Sequence, residues 1–279
     1  MPKPINNLVI VSDTHCGDQY GLCPSGGVRL DGGGIYTPSL LQLAVWSWWQ
    51  EFWGEWVPEV CHGEPFAVVM NGDAIEHRHH NATHQISQNL SDQARIAEAV
   101  LRPVVDLCEG RFYFVRGTEA HAGQSSEDEE RLAEKLEAIP DAIGNRTRYE
   151  LRMLVGGTSR VHLMHHIGTT GTTHYESTAI LKELVESYVQ AGTWRQEPYD
   201  AVVRSHRHTF MLVTRPSRKG YAFSFTTAGW QLKTPFSNKI PGARQATPQF
   251  GGSILRQGDE DFYSRHFVRS IDPPREVVL

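Results

Sequence analysis

The sequence predicts an α/β fold, and three observations carry that reading. Apolar runs of β character alternate with helix-period segments through the first part of the chain. After residue 199 the pattern changes to short alternating runs with no helix between them. Aspartates and histidines stand directly behind several of the strand-like runs, where open α/β sheets place their chemistry.

In chain order, strands are expected at 7–12, 66–71, 111–116, 147–155, 160–166 and 199–205. Helices are expected at about 38–57, 88–108, 125–138 and 174–191. This alternation predicts β-α-β units and a mainly parallel sheet at the start. Phe210–Thr214 and Tyr221–Thr227 read as antiparallel strands, in a second sheet packed on the first. With no repeat, linker or low-complexity tract, residues 1–279 are expected to form a single domain.

Two segments read as walls of a site. The loop Gly17–Gly34 is glycine-rich and long, which suits a substrate-side loop better than a connector. In the helix at 38–57, Trp46, Trp49, Trp53 and Trp56 share one face by i, i+3, i+4 spacing and read as core. Trp48 falls off that stripe and is free to face a groove or a partner. Gly229-Trp230 and the loop 232–250 are further candidates to border the site.

Composition narrows the function. At 39% hydrophobic and 10% aromatic residues the chain can bury a full core, which excludes a disordered protein. No apolar run reaches the roughly 18 residues of a membrane span, so no membrane partner is expected. Met1-Pro2-Lys3-Pro4 leads into the first strand without a signal-type apolar stretch, and a cytoplasmic location is expected. Cys16, Cys23, Cys61 and Cys108 show no C-x-x-C spacing and read as reduced thiols. The net charge of −5 opposes a broad grip on duplex nucleic acid. It leaves a nuclease open, because bound cations bring positive charge to the site itself.

The chemistry lies in five ordered blocks. They are Ser12-Asp13-Thr14-His15, Asn71-Gly72-Asp73, Arg116-Gly117-Thr118-Glu119-Ala120-His121, His165-His166 and Ser205-His206-Arg207-His208. A binuclear centre needs several N and O ligands per cation, a carboxylate between the two, and an open edge for water and substrate. Asp13 and His15 can ligate one cation, Asp73 suits the bridging carboxylate, and His206 and His208 repeat the x-spaced pair with imidazoles. Strand alternation turns His165 and His166 to opposite sides, so one of them reaches the metal. His165 is favoured, which leaves His166 facing substrate or bracing a ligand. Behind Asp73 follow Glu76, His77, His79, His80 and His84. His80 and His84, at i, i+4 if helical, are candidates to contact phosphoryl oxygens, and Arg78, Arg204 and Arg207 are the nearest cations.

In their order, these blocks resemble the calcineurin-like metallophosphoesterases, over roughly residues 7–210. The resemblance implies a four-layer α/β/β/α sandwich, two mixed sheets flanked by helices. It implies two divalent metal ions, Mn, Fe, Zn or Ni, and a metal-bridging hydroxide that attacks phosphorus. By position, Asp13, His15 and His208 would hold the first metal, Asp73 would bridge, and His165 and His206 would hold the second. Ser205 stands where the family usually has glycine. The middle block departs further: Thr118 takes the place of the family's ligating asparagine and Glu119 that of its catalytic histidine. Thr118 is then a weaker neutral ligand. His121, two residues on, is expected either to protonate the leaving oxygen or to supply the missing ligand. The expected activity is hydrolysis of phosphoesters, foremost phosphodiesters, with DNA, RNA or a nucleotide among the candidate substrates. A non-catalytic metal-binding scaffold is the rival.

Overall fold

The apolar run that opens the chain becomes β1 (Asn7–Val11), and all five of its residues are buried. Leu8 and Ile10 enter one hydrophobic cluster, Val9 and Val11 another. A strand apolar on both faces demands a layer on each side. The computed structural model, which describes residues 4–79, 81–168, 175–239, 246–272 and 277–278, supplies both.

The first sheet runs β13-β12-β1-β4-β5-β6. Here β4 is Phe66–Asn71, β5 Phe112–Val115, β6 Thr147–Arg148, β12 Gln249–Gln257 and β13 Phe262–Ser270. Strands β1, β4, β5 and β6 are mutually parallel, and β12 and β13 join antiparallel. The second sheet is formed by Met211–Ser217 (β10), Gly220–Thr226 (β11), Ala201–Arg204 (β9), Ser159–Leu163 (β8) and Leu151–Val155 (β7), in that spatial order. It too is mixed, with β11, β9 and β8 parallel between antiparallel neighbours.

Between the sheets lies one apolar cluster, with Leu8, Ile10, Val69 and Leu255 from the first and Val161, Leu163, Val203 and Phe225 from the second. The outer face of the first sheet is covered by α1 (Leu40–Glu51), α3 (Leu90–Leu107) and α5 (Glu127–Lys135). The outer face of the second packs on α6 (Glu176–Trp194) through Leu184 and Tyr188. The layers are therefore α/β/β/α, as expected. The four cysteines are free thiols, all buried. None of the described helices is long and apolar enough to cross a membrane.

Four features differ from the sequence reading. The helix expected at 38–57 is interrupted by a π-helical turn, Phe52–Trp56, before α2 (Val57–Val60). The extra residue in that turn puts both Phe52 and Trp53 into the core. Trp48, off the stripe, is half-buried against the same core, its ring 5.4 Å from that of Phe250. The single run at 147–155 is two strands, β6 in the first sheet and β7 in the second, so the chain changes sheet at Tyr149-Glu150. Strands β12 and β13 were not expected. Gly251 and Gly252 interrupt the apolar pattern of β12, and a Cβ on Gly251 would lie 1.8 Å from the Phe267 carbonyl oxygen.

Candidate metal centre

Strands β1 and β4 end in register, Val11 opposite Met70, and their loops continue side by side. The Asp13 amide donates to Gly72 O (3.0 Å), that of His15 to Asp73 O (3.1 Å) and that of Cys16 to Ala74 O (2.9 Å). Within these loops Asp13, His15 and Asp73 adopt left-handed φ of 53°, 41° and 53°. After β9 the same holds for His206 and His208, at 71° and 53°. Each such residue costs on the order of 1–3 kcal/mol, and strain of this kind gathers at functional sites. Here it breaks the strand pleat, so that side chains from both sheets converge.

Two groups result. Asp13, His15 and His208 form the first, Asp73, His165 and His206 the second, and within each the donor atoms lie within 4.8 Å of one another. In the first, His208 Nε2 is 3.2 Å from Asp13 Oδ1, and the Nε2 atoms of His15 and His208 are 3.2 Å apart. In the second, Asp73 Oδ2 is 3.0 Å from His165 Nε2 and 3.8 Å from His206 Nδ1. Asp13 Oδ1 also lies 3.9 Å from His165 Nε2, which joins the two groups. Both carboxylates are buried. Asp13 Oδ1 and His165 Nε2 are buried without a hydrogen-bond partner, so an acceptor and a ring nitrogen aim into the same space. This donor set, two carboxylates and four imidazoles around orphaned atoms, fits divalent cations.

The electrostatics point the same way. Burial opposes the charge on Asp13, yet His208 and His165 hold its carboxyl below the usual carboxylate range. Burial likewise opposes ionisation of Asp73, and His165 and His121 hold it well below that range. For His15 burial works against protonation, but Glu76 raises the imidazole to about 9. For His165 the carboxylates of Asp73 and Asp13 overcome burial and raise it to about 10. The cation-free centre is therefore proton-loaded.

A pH dependence follows. Without metal, the lowered carboxylates add stability above about pH 4 and lose it as acid protonates them. The raised histidines add stability in full below about pH 6.5. They lose it as pH rises through 9 and 10. Thermal denaturation of the chelated protein should show a plateau between these limits and a fall on both sides. Cations bound here would have to displace the two protons, so Mn affinity should rise with pH, with proton release seen as buffer-dependent heats in calorimetry.

Surrounding groups fix the donors. Glu76 Oε2 accepts from His15 Nδ1 at 2.9 Å, which leaves His15 Nε2 facing Asp13 and His208. His165 Nδ1 donates to the Asn71 carbonyl at 2.6 Å, with the same consequence for its Nε2. Glu129, on α5, is fully buried and accepts from the amides of Ala74 (3.0 Å) and Gly117 (2.6 Å). Burial raises its carboxyl to about 7. It binds together the loops after β4 and β5. Glu129 sits in an acidic run, Glu127–Glu130, that reads as a solvated helix start, so the sequence holds no signal for it.

Thr118 lies against Asp73, its hydroxyl also 3.3 Å from Oδ2, the oxygen beside His165. Its amide donates to Asp73 Oδ1 at 2.7 Å and its hydroxyl at 3.1 Å, and it caps α4 (Glu119–Ala122). His121 groups with His15 and Glu76. Its Nδ1 donates to Glu76 O at 2.7 Å, and burial lowers the imidazole to about 4, so it stands neutral. His84 forms a group of its own with Asp18 and Glu76, hydrogen-bonded to Asp18 at 2.7 Å, and Gln231 donates to Asp18 (2.6 Å) and to Glu76 (3.2 Å). His166 is exposed, its ring 5.5 Å from that of His206. His80 lies outside the described residues. Arg204 is buried and paired with Glu183 at 2.6 Å, which removes it from the candidates for phosphate.

Of the two expected walls, the root of the Gly17–Gly34 loop reaches the site through Asp18, while its tip at 24–34 is partly or fully exposed, and the tryptophan helix packs into the core on the outer face of the first sheet. Trp230 is fully buried, its amide donating to Asp13 O at 2.9 Å, and Gly229 packs against His208 and Asp13.

No protein-family model and no curated protein matches the sequence. Among solved structures, the chain is similar to Vacuolar Protein Sorting 29 from Cryptosporidium parvum, at 10% identity and a TM-score of 0.37, over 96% of this chain and 100% of that one. It is similar at 9% identity and the same TM-score to a Thermotoga maritima protein solved by solution NMR, with the same coverage.

Proposed function

We propose that this protein is a binuclear metal-dependent phosphoesterase acting foremost on phosphodiesters. The observation that carries this reading is the convergence of Asp13, His15 and His208 with Asp73, His165 and His206 in one cradle at the ends of two sheets. When bound there, two divalent cations would activate a water molecule for attack on phosphorus and neutralise charge developing on the phosphoryl oxygens. Asp13, His15 and His208 would hold the first and His165 and His206 the second, with Asp73 between them. The chain's own residues then do the positioning. Glu76 and the Asn71 carbonyl fix the imidazole tautomers of His15 and His165. Thr118 orients the Asp73 carboxylate through its amide and hydroxyl. His166 and His206 are exposed on the solvent-facing side, where a phosphoester would approach.

His121 is the acid–base group of this reading. Because Nδ1–H is engaged by the Glu76 carbonyl, the remaining nitrogen of the neutral ring accepts a proton before it gives one. Replacing His121 by alanine should lower kcat by about 100-fold or more, in the range of general acid–base catalysis, with metal content unchanged. Loss of one metal equivalent in that variant would make His121 a ligand instead, and an unchanged rate would make it a bystander.

The assay of the whole reading uses chelated protein reconstituted with Mn. Bis-(p-nitrophenyl) phosphate should turn over faster than p-nitrophenyl phosphate. Turnover of neither, by folded protein carrying its metals, would leave a binding scaffold and sink the enzyme. Cleavage of single- and double-stranded DNA, run alongside, distinguishes a nuclease from an enzyme of small diesters.

A further inference from the structure

Beneath the donor atoms, four buried polar side chains join the two sheets. Ser12 follows β1, Asn71 ends β4, Ser205 follows β9 and Thr227 follows β11, and all four are at 0% exposure. They form one connected chain. Ser12 and Thr227 share a hydrogen bond of 2.7 Å, and Thr227 Oγ1 donates to Ser205 Oγ at 2.8 Å. Asn71 Nδ2 donates to the same Ser205 oxygen at 2.6 Å and to the Met164 carbonyl, just past β8, at 3.1 Å. Five strand ends meet in this ladder, two from the first sheet and three from the second.

Three of the four side chains stand within two residues of a donor in sequence, as does the Met164 carbonyl, and Thr227 links two of them. Ser12 precedes Asp13, Asn71 lies two residues before Asp73, Met164 precedes His165 and Ser205 precedes His206. The cradle itself is split in the same way: Asp13, His15 and Asp73 come from the first sheet, His165, His206 and His208 from the second. The apolar cluster that packs the sheets together is non-directional and tolerates small slides. Hydrogen bonds of 2.6–2.8 Å between hydroxyls and an amide do not. A glycine at 205 would delete the oxygen on which both Thr227 and Asn71 converge.

We propose that the Ser12–Thr227–Ser205–Asn71 ladder is the spacer that sets the distance between the two halves of the metal centre, with Ser205 and Thr227 as positioning residues. This rests on the binuclear reading, and the test separates the two.

The experiment is calorimetric titration of MnCl2 into the chelated full-length protein and its variants, with circular dichroism to check the fold. Thr227→Val removes the hydroxyl at constant shape and should weaken Mn binding about 10- to 100-fold, as loss of outer-shell partners does. Thr227→Ser restores the hydroxyl and should bind like the parent. Ser205→Ala should match Thr227→Val, and the double variant should cost little more than either alone, because both cut one network. A ladder that only holds the fold together would lower the melting temperature of the chelated Thr227→Val protein and leave its Mn affinity at the parental value; that result would overturn the proposal. An intact parent that binds no Mn removes the metal centre, and the spacer with it. Mn binding without phosphoester turnover leaves the spacer standing while the enzymatic reading fails.

Discussion

Asp73→Asn should bind Mn at least about 100-fold more weakly and hydrolyse phosphodiesters about 10²–10³-fold more slowly than the parent, while keeping its fold. The exchange preserves shape. An asparagine oxygen can still accept from the Thr118 amide and hydroxyl, which contact Asp73 Oδ1 in the parent. Its amide nitrogen would then replace Oδ2, the atom 3.0 Å from His165 Nε2. That nitrogen is a donor with no lone pair for a cation. It also withdraws the charge that keeps His165 protonated up to about 10, so the alkaline fall in stability should move to lower pH. Metal analysis and thermal denaturation in alkali give two independent readings of the one substitution. Parental Mn affinity in this variant would remove Asp73 from the centre.

The sequence marked the donors well because each stands behind an apolar run. β1 and β4 are buried on both faces, so their ends are sharp, and Asp13, His15 and Asp73 are the first metal-capable groups beyond them. The apolar runs predicted an α/β fold with a second sheet packed on the first, while the four-layer order came from the resemblance that the five blocks carry. What holds the donors was not. Glu129 is hidden in an acidic helix start, and Ser12, Ser205 and Thr227 are small polar residues of a kind found on any surface. Their role exists only once strands distant in sequence lie side by side. The split of 147–155 between two sheets was hidden likewise, since two short strands and a bend have the same apolar pattern as one strand. Thr118 shows a different limit. Its position in the block suggests a ligand, and only the folded chain reveals that its amide and hydroxyl also hold the Asp73 carboxylate.

The second large effect comes from a residue with no side chain. Gly117→Ala should abolish measurable Mn loading and hydrolysis although it removes no functional group. A Cβ at 117 would lie 2.1 Å from Asp73 Oδ1 and 2.3 Å from the Asp73 amide nitrogen. Neither side can easily yield. The Gly117 amide is held by Glu129 at 2.6 Å, and the Thr118 amide holds Asp73 at 2.7 Å, so backbone and carboxylate are pinned from both directions. Overpacking of this kind costs about 1–3 kcal/mol. The least resistant response is rotation of the Asp73 side chain away from His165 and His206, which takes apart the second donor group. Two glycines grade the expectation. A Cβ at Gly229 meets His208 and Asp13 at 3.0–3.2 Å, a contact relieved by small shifts, so Gly229→Ala should weaken Mn binding only modestly. At Gly54, within the π-helical turn, a Cβ meets nothing within 4 Å. Gly54→Ala should leave Mn binding unchanged and stabilise the fold by about 0.5–1 kcal/mol, the ordinary helical preference for alanine. Mn titration and thermal denaturation of the three variants test the grading. If Gly117→Ala loads metal as well as Gly54→Ala, the close fit of the β5 loop against Asp73 is not what holds the centre in shape.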